Sequence, residues 1–175
     1  MAIKWTSPEA IKHKIFTPAS DVWSFGVLCW EVMTYGDRPF WDMPNDEVIK
    51  SVSMGLRLPC PQVSFKSLKP QLKPELIYQG CPQVVHELML KCWAEEPGRR
   101  PNFGHIKTEL DSFLNDPAQL NGNDGVLRWV PTASLGVWTN TTLFKWIVDS
   151  FIQFTRQSDV IVLYDSSISV LVHSR

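Results

Sequence analysis

The sequence predicts a mainly α-helical domain with a divergent tail that folds back as a β-hairpin, and three observations carry that expectation. Residues 20–36, S-D-V-W-S-F-G-V-L-C-W-E-V-M-T-Y-G, are apolar on nearly every side of a helix, so the segment needs neighbours all round it. Two later segments, 82–93 and 102–114, repeat apolar residues at helical spacing and offer amphipathic faces to cover it. Residues 159–164 and 168–173 gather β-branched side chains on either side of D-S-S, a hairpin pattern.

Taken in order, Ser7 before Pro8, with Glu9 in the first turn, predicts a short opening helix that Thr17 and Pro18 end. Ser20 is the expected N-cap of the central helix, Asp21 sits at its positive end, and Gly36 is a suitable left-handed terminator. Asp21 and Glu31 bracket too short a run for a membrane span, which needs about 20 apolar residues. Residues 37–44 are turn-rich but carry Phe40, Trp41 and Met43, which are expected to lie on the core. Asn45 is read as the cap of a helix reaching about residue 54, with Asp46 and Glu47 in its first turn and Gly55 after its end. The run L-R-L-P-C-P then forces extended chain.

Residues 63–80 lack a period and are read as an exposed excursion, since structureless loops above about 12 to 15 residues are uncommon inside compact domains. Val84, Val85, Leu88, Met89, Cys92 and Trp93 then share a helical face, E-E-P-G-R-R-P closes it, and Phe103, Ile106, Leu110, Phe113 and Leu114 mark the last helix. Beyond residue 115, N-D-P-A-Q-L-N-G-N-D-G reads as a linker. The hairpin that follows must dock or fray, because a lone hairpin is marginal in water. The expected division is a domain over residues 1–120, interrupted at 63–80, and a linker with tail over 121–175.

A chain of 175 residues suits one domain, and its formal net charge of −1 gives no polyanion-binding surface, so nucleic acid is not an expected partner. The four cysteines, Cys29, Cys60, Cys81 and Cys92, show no C-x-x-C spacing and favour a reducing compartment. His13, His86, His105 and His173 have no ligand-spaced partners, so no metal site is expected. The opening M-A-I-K-W-T-S-P has no apolar signal core, which suggests a cytosolic chain or a piece of something longer.

Five motifs in order then carry a resemblance: I-K-W-T-S-P-E-A-I; S-D-V-W-S-F-G-V-L-C-W-E-V-M-T-Y-G-D-R-P-F-W-D-M; G-L-R-L-P-C-P; C-P-Q-V-V-H-E-L-M-L-K-C-W; and R-R-P-N-F. Together they resemble the C-terminal lobe of a receptor tyrosine kinase, most like the Eph (ephrin) receptor family, over residues 1–120. The resemblance implies the helical C-lobe of the protein kinase-like fold. It implies that Glu9, in S-P-E, pairs with Arg100, in R-P, stapling the first helix to a late turn. It gives Asp21 and Trp23 structural places in the central helix, Asp21 as an acceptor of backbone N–H groups from the catalytic loop. It places Lys4, Trp5 and Thr6 on the surface that receives the residue after a substrate tyrosine; read without it, Trp5 is a core aromatic.

The chemistry of such kinases needs a glycine-rich loop, a strand lysine, a catalytic Asp and Asn, and a magnesium-binding D-F-G Asp. No G-x-G-x-x-G, H-R-D or D-F-G occurs in this sequence. The resemblance therefore implies an Eph-like parent that phosphorylates protein tyrosines with ATP and magnesium, while this chain holds no catalytic, cofactor-binding or metal residue. It would supply substrate platform and scaffold, on the cytoplasmic side of a plasma-membrane receptor. Partners would be protein substrates or other kinases through the C-lobe surface, with ephrin ligands met only by a parent ectodomain. The alternatives are a non-catalytic interaction module and a truncated product without activity.

Overall fold

The computed structural model describes residues 2–34, 36–61 and 81–120, together with two strands at 162–165 and 168–171. The excursion expected at 63–80 and the linker from 121 lie outside the described residues, as does any docking of the tail. The two strands, Val162–Asp165 and Ile168–Leu171, pair antiparallel with Val162 opposite Leu171 and Asp165 opposite Ile168. Among the described residues no helix is long and apolar enough to cross a membrane.

Helix α1, Pro8–His13, begins as its sequence predicts, with Ser7 extended at the N-cap, Pro8 at the first position and Glu9 in the first turn. Its end differs from expectation. Lys14 closes it in the left-handed region at φ 59°, its N–H bonded to the Ala10 carbonyl, before Thr17 and Pro18 are reached.

Those two residues instead start the central helix α2, Pro18–Met33, so the expected cap at Ser20 is corrected to Thr17. Proline at a first helical position forfeits an N–H that has no intrahelical partner anyway, which is why T-P opens a helix here. Ser20 remains part of the cap: its Oγ accepts from the Thr17 N–H at 2.8 Å, and Thr17 Oγ1 accepts from the Ser20 N–H at 3.3 Å. Thr17→Ala is expected to lower stability by about 1 kcal/mol, read as a lower urea midpoint at unchanged slope; an unchanged midpoint would show that the cap contributes nothing. At the other end, past the C-cap Thr34, Gly36 takes φ 96° and returns its N–H to the Glu31 carbonyl at 2.8 Å.

The core forms around α2, where Val22, Trp23, Phe25, Val27, Leu28, Cys29, Trp30, Val32 and Met33 are all buried. Helix α3, Asn45–Ser53, gives it Val48 and Val52; its N-cap is Pro44, so Asn45 is corrected from cap to first helical residue, and no side chain caps the helix. Extended backbone at Pro44, φ −67° and ψ 157°, sets the entry that Asn45 was expected to make. Helix α4, Gln83–Cys92, brings Val85, Leu88, Met89 and Cys92 against α2. The two come very close at Gly26, where an added Cβ would stand 2.6 Å from Trp93 Nε1 and 2.9 Å from Cys92 Cβ. Helix α5, Phe103–Asn115, is capped by Asn102, whose Oδ1 accepts from the His105 N–H at 2.9 Å. Phe103 meets Phe25 edge-on at 6.2 Å.

Candidate functional site

Two charged residues distant in sequence meet at the start of the core. Arg100 follows the short turn Pro97–Arg99, its side chain wholly buried, and Glu9 stands in the first turn of α1. The pair is bidentate, Nη1 to Oε1 at 2.6 Å and Nη2 to Oε2 at 2.9 Å. The guanidinium also donates from Nε to the Ala94 carbonyl at 2.9 Å, from Nη1 to the Ala19 carbonyl at 2.9 Å and from Nη2 to the Glu95 carbonyl at 3.5 Å. All five of its N–H groups are thus engaged, which a buried arginine requires. Burial is the largest influence on the Glu9 carboxyl and pushes it up, but its hydrogen bonds, those from Arg100 foremost, and the Arg100 charge together outweigh it and leave the pKa below the ordinary value.

Trp23 lies buried beneath this junction, with the Arg100 guanidinium 5.1 Å and the Arg57 guanidinium 4.8 Å from its ring centre. Arg57 was not singled out in the sequence. Its Nε donates to the Trp93 carbonyl and its Nη1 to the Val52 and Leu56 carbonyls, so it ties the ends of α3 and α4 together. The available signal was a lone arginine inside L-R-L-P, an extended apolar run with no other charge.

Lys4, Trp5 and Thr6 sit at and just after a 3₁₀ turn, Ile3–Trp5, that packs against α2 and α3. Lys4 Nζ donates to the Phe40 carbonyl. Phe40 itself is held at φ 48°, a left-handed conformation that is costly for an aromatic residue and persists only where its surroundings fix it. Trp5 is half-buried. It packs on the core edge, its indole Nε1–H donates to Glu31 Oε2 at 2.6 Å, and its carbonyl accepts from Ser24 Oγ at 2.8 Å. Glu31 is a buried acid inside an apolar helix; burial pushes its carboxyl pKa up, and the Trp5 bond draws it only part of the way back. Thr6 Oγ1 donates to the Ala2 carbonyl at 2.9 Å. Ile3, Lys4, Thr6, Phe40, Ile49 and Val52 line a shallow recess between this turn and α3.

Asp21 lies at the surface of the first turn of α2, and its carboxylate has no hydrogen-bond partner among the described residues. Neighbouring protein shields it enough from water to push its pKa up. Magnesium and ATP, which the fold class implies, find no matching donor set among the described residues. Among the described residues no cluster of three or more His, Cys, Asp or Glu could hold a metal ion, and the sequence has no phosphate-cradling glycine motif. No step of phosphoryl transfer is assigned to these residues.

The mainly helical arrangement agrees with the C-terminal lobe of a protein kinase, and residues 1–75 match the family described as protein tyrosine and serine/threonine kinase. Within that class, the chain is 44% identical over 131 residues to ephrin type-A receptor 8 of Mus musculus, covering 75% of this chain and 11% of the receptor. It is 43% identical over 143 residues to ephrin type-A receptor 4-A of Xenopus laevis, covering 81% and 12%. Against ephrin type-B receptor 3 of Danio rerio it is 46% identical over 118 residues, covering 67% and 20%. The chain is therefore a relative of the Eph receptor tyrosine kinases, and it spans 11% to 20% of the length of these three proteins.

Proposed function

We propose that this chain is the substrate-platform and scaffold part of an Eph-like receptor protein-tyrosine kinase, and that the parent transfers the ATP γ-phosphate to protein tyrosines. In this reading Lys4, Trp5 and Thr6 form the platform, Glu9, Arg100 and Trp23 hold the frame, Asp21 is the structural acceptor for backbone N–H groups of the parent's catalytic loop, and the chain contributes no catalytic group. The observation that carries the reading is the pinned edge at residues 3–6. It is fastened to Phe40 through Lys4 and to Glu31 through Trp5, beside a largely apolar recess. A fixed edge of this kind holds an extended peptide at low entropic cost, and an apolar recess suits the side chain following the tyrosine. The parent would carry this part on the cytoplasmic side of the plasma membrane, with protein substrates as partners.

Titrating isotope-labelled chain with a tyrosine peptide that bears an apolar residue after the tyrosine tests the platform. Saturable amide shifts centred on Ile3, Lys4, Thr6 and Phe40 are expected, and Ile49→Asp, with its helix content verified by circular dichroism, should abolish them. Shifts that persist in Ile49→Asp would show that the peptide does not use the recess. A second reading, a non-catalytic module that docks on an intact kinase, draws on Ile15 and Phe16, 64% and 62% exposed, and on the unpartnered Asp21 carboxylate. Co-elution with a purified Eph kinase domain, lost in Phe16→Asp, would favour it.

A further inference from the structure

Cys60 and Cys81 flank residues 62–80 in the sequence. Cys60 ends the extended run after α3, Cys81 precedes α4, and the two segments are joined by a backbone bond from the Cys81 N–H to the Pro61 carbonyl at 3.4 Å. Cys60 Sγ donates to the Cys81 carbonyl at 3.9 Å, and Cys81 Sγ donates to the Pro82 carbonyl at 3.5 Å. Both are free and only partly buried, whereas Cys29 and Cys92 are buried in the core on α2 and α4. We infer that Cys60 and Cys81 form an oxidisable pair, dithiol at rest, that closes into an intrachain disulfide when a peroxide is present.

The reaction balances with hydrogen peroxide as the only co-reactant. One cysteine sulfur, as thiolate, attacks a peroxide oxygen; the O–O bond breaks, a sulfenic acid forms and the first water leaves. The second sulfur then attacks the sulfenic sulfur, the S–S bond forms, and the hydroxyl departs with the remaining thiol proton as the second water. Two thiols are oxidised by two electrons in all, and one peroxide is reduced to two waters. Burial raises the pKa of both thiols, so the thiolate is scarce near neutral pH and closure is slow without excess oxidant. Cross-linking the two ends of a segment restricts the unfolded chain, so the oxidised form should also melt at a higher temperature.

The test uses the full chain, treated with excess hydrogen peroxide, denatured, alkylated and digested with trypsin without reductant. Cleavage after Arg57, Lys66 and Lys91 places Cys60 in peptide 58–66 and Cys81 in peptide 67–91, so a bond between them is read directly by mass spectrometry. The expected result is that these two peptides appear joined, that titratable thiols fall from four to two, and that dithiothreitol restores all four while returning the melting temperature to its starting value. Cys60→Ser should leave Cys81 alkylatable after the same treatment. Recovery of both thiols free or singly oxidised, linkage of either to Cys29 or Cys92, or joining only between two copies of the chain would overturn the inference.

Discussion

Glu9→Gln is expected to lower the stability of the folded chain by about 3 kcal/mol at neutral pH, because it leaves a buried guanidinium without its counter-charge. Arg100 has no exposed side-chain surface through which water could replace the carboxylate, and its remaining carbonyl partners carry no net charge. Exposed ion pairs contribute near zero by comparison. The effect should depend on pH in a defined direction. The folded-state pKa of Glu9 is lowered, so its stabilisation is complete above the ordinary carboxylate value of about 4.3 and is lost as pH falls through the lower folded value. The gap between wild type and Glu9→Gln should therefore be widest at neutral pH and narrow in acid. Urea unfolding at several pH values measures it; coincident curves at neutral pH would show that the pair does not staple α1 to the turn before α5.

Gly26→Ala should destabilise by about 2 kcal/mol, although alanine is the better helix former by about 1 kcal/mol. An added Cβ falls 2.6 Å from Trp93 Nε1 and 2.9 Å from Cys92 Cβ, so α2 and α4 must separate or Trp93 must turn away. Turning Trp93 breaks its Nε1–H bond to the Trp23 carbonyl, 3.3 Å in length and buried. Overpacking of this kind costs about 1–3 kcal/mol and should outweigh the propensity gain. Chemical denaturation decides the sign. A variant more stable than wild type would mean that the two helices yield at this crossing.

How far the sequence foretold this arrangement differs from element to element, for physical reasons. The burial of α2 was legible because no single helical stripe could hold its apolar residues, and α4 and α5 were legible from their clean periodicity. Its start was misread because a T-P pair both ends and begins helices; only Lys14 in the left-handed region, which has no sequence signature, shows that α1 has already stopped. Asn45 lost its expected cap role to Pro44 for a related reason, since proline fixes the entry backbone without offering a side-chain acceptor. In the candidate site, the meeting of Glu9 and Arg100 followed from the kinase resemblance and not from any local pattern. Long-range bonds that depend on three-dimensional packing were invisible: the Arg57 anchor over Trp23, the Lys4 bond to Phe40, and Glu31, which in sequence served only to argue against a membrane span.

Under the proposed function, this chain supplies frame and platform but no chemistry. The direct measurement is incubation of purified 175-residue chain with radiolabelled ATP, magnesium and a tyrosine-containing polymer. Without a phosphate-clamping lysine, metal-binding Asp or catalytic Asp in kinase motifs, the electrostatic stabilisation on which phosphoryl transfer rests is missing, and each factor of ten in rate corresponds to about 1.4 kcal/mol of barrier. The predicted result is incorporation no greater than that of a heat-killed control. Incorporation above that control, persisting after mass spectrometry excludes contaminating kinases, would contradict the claim.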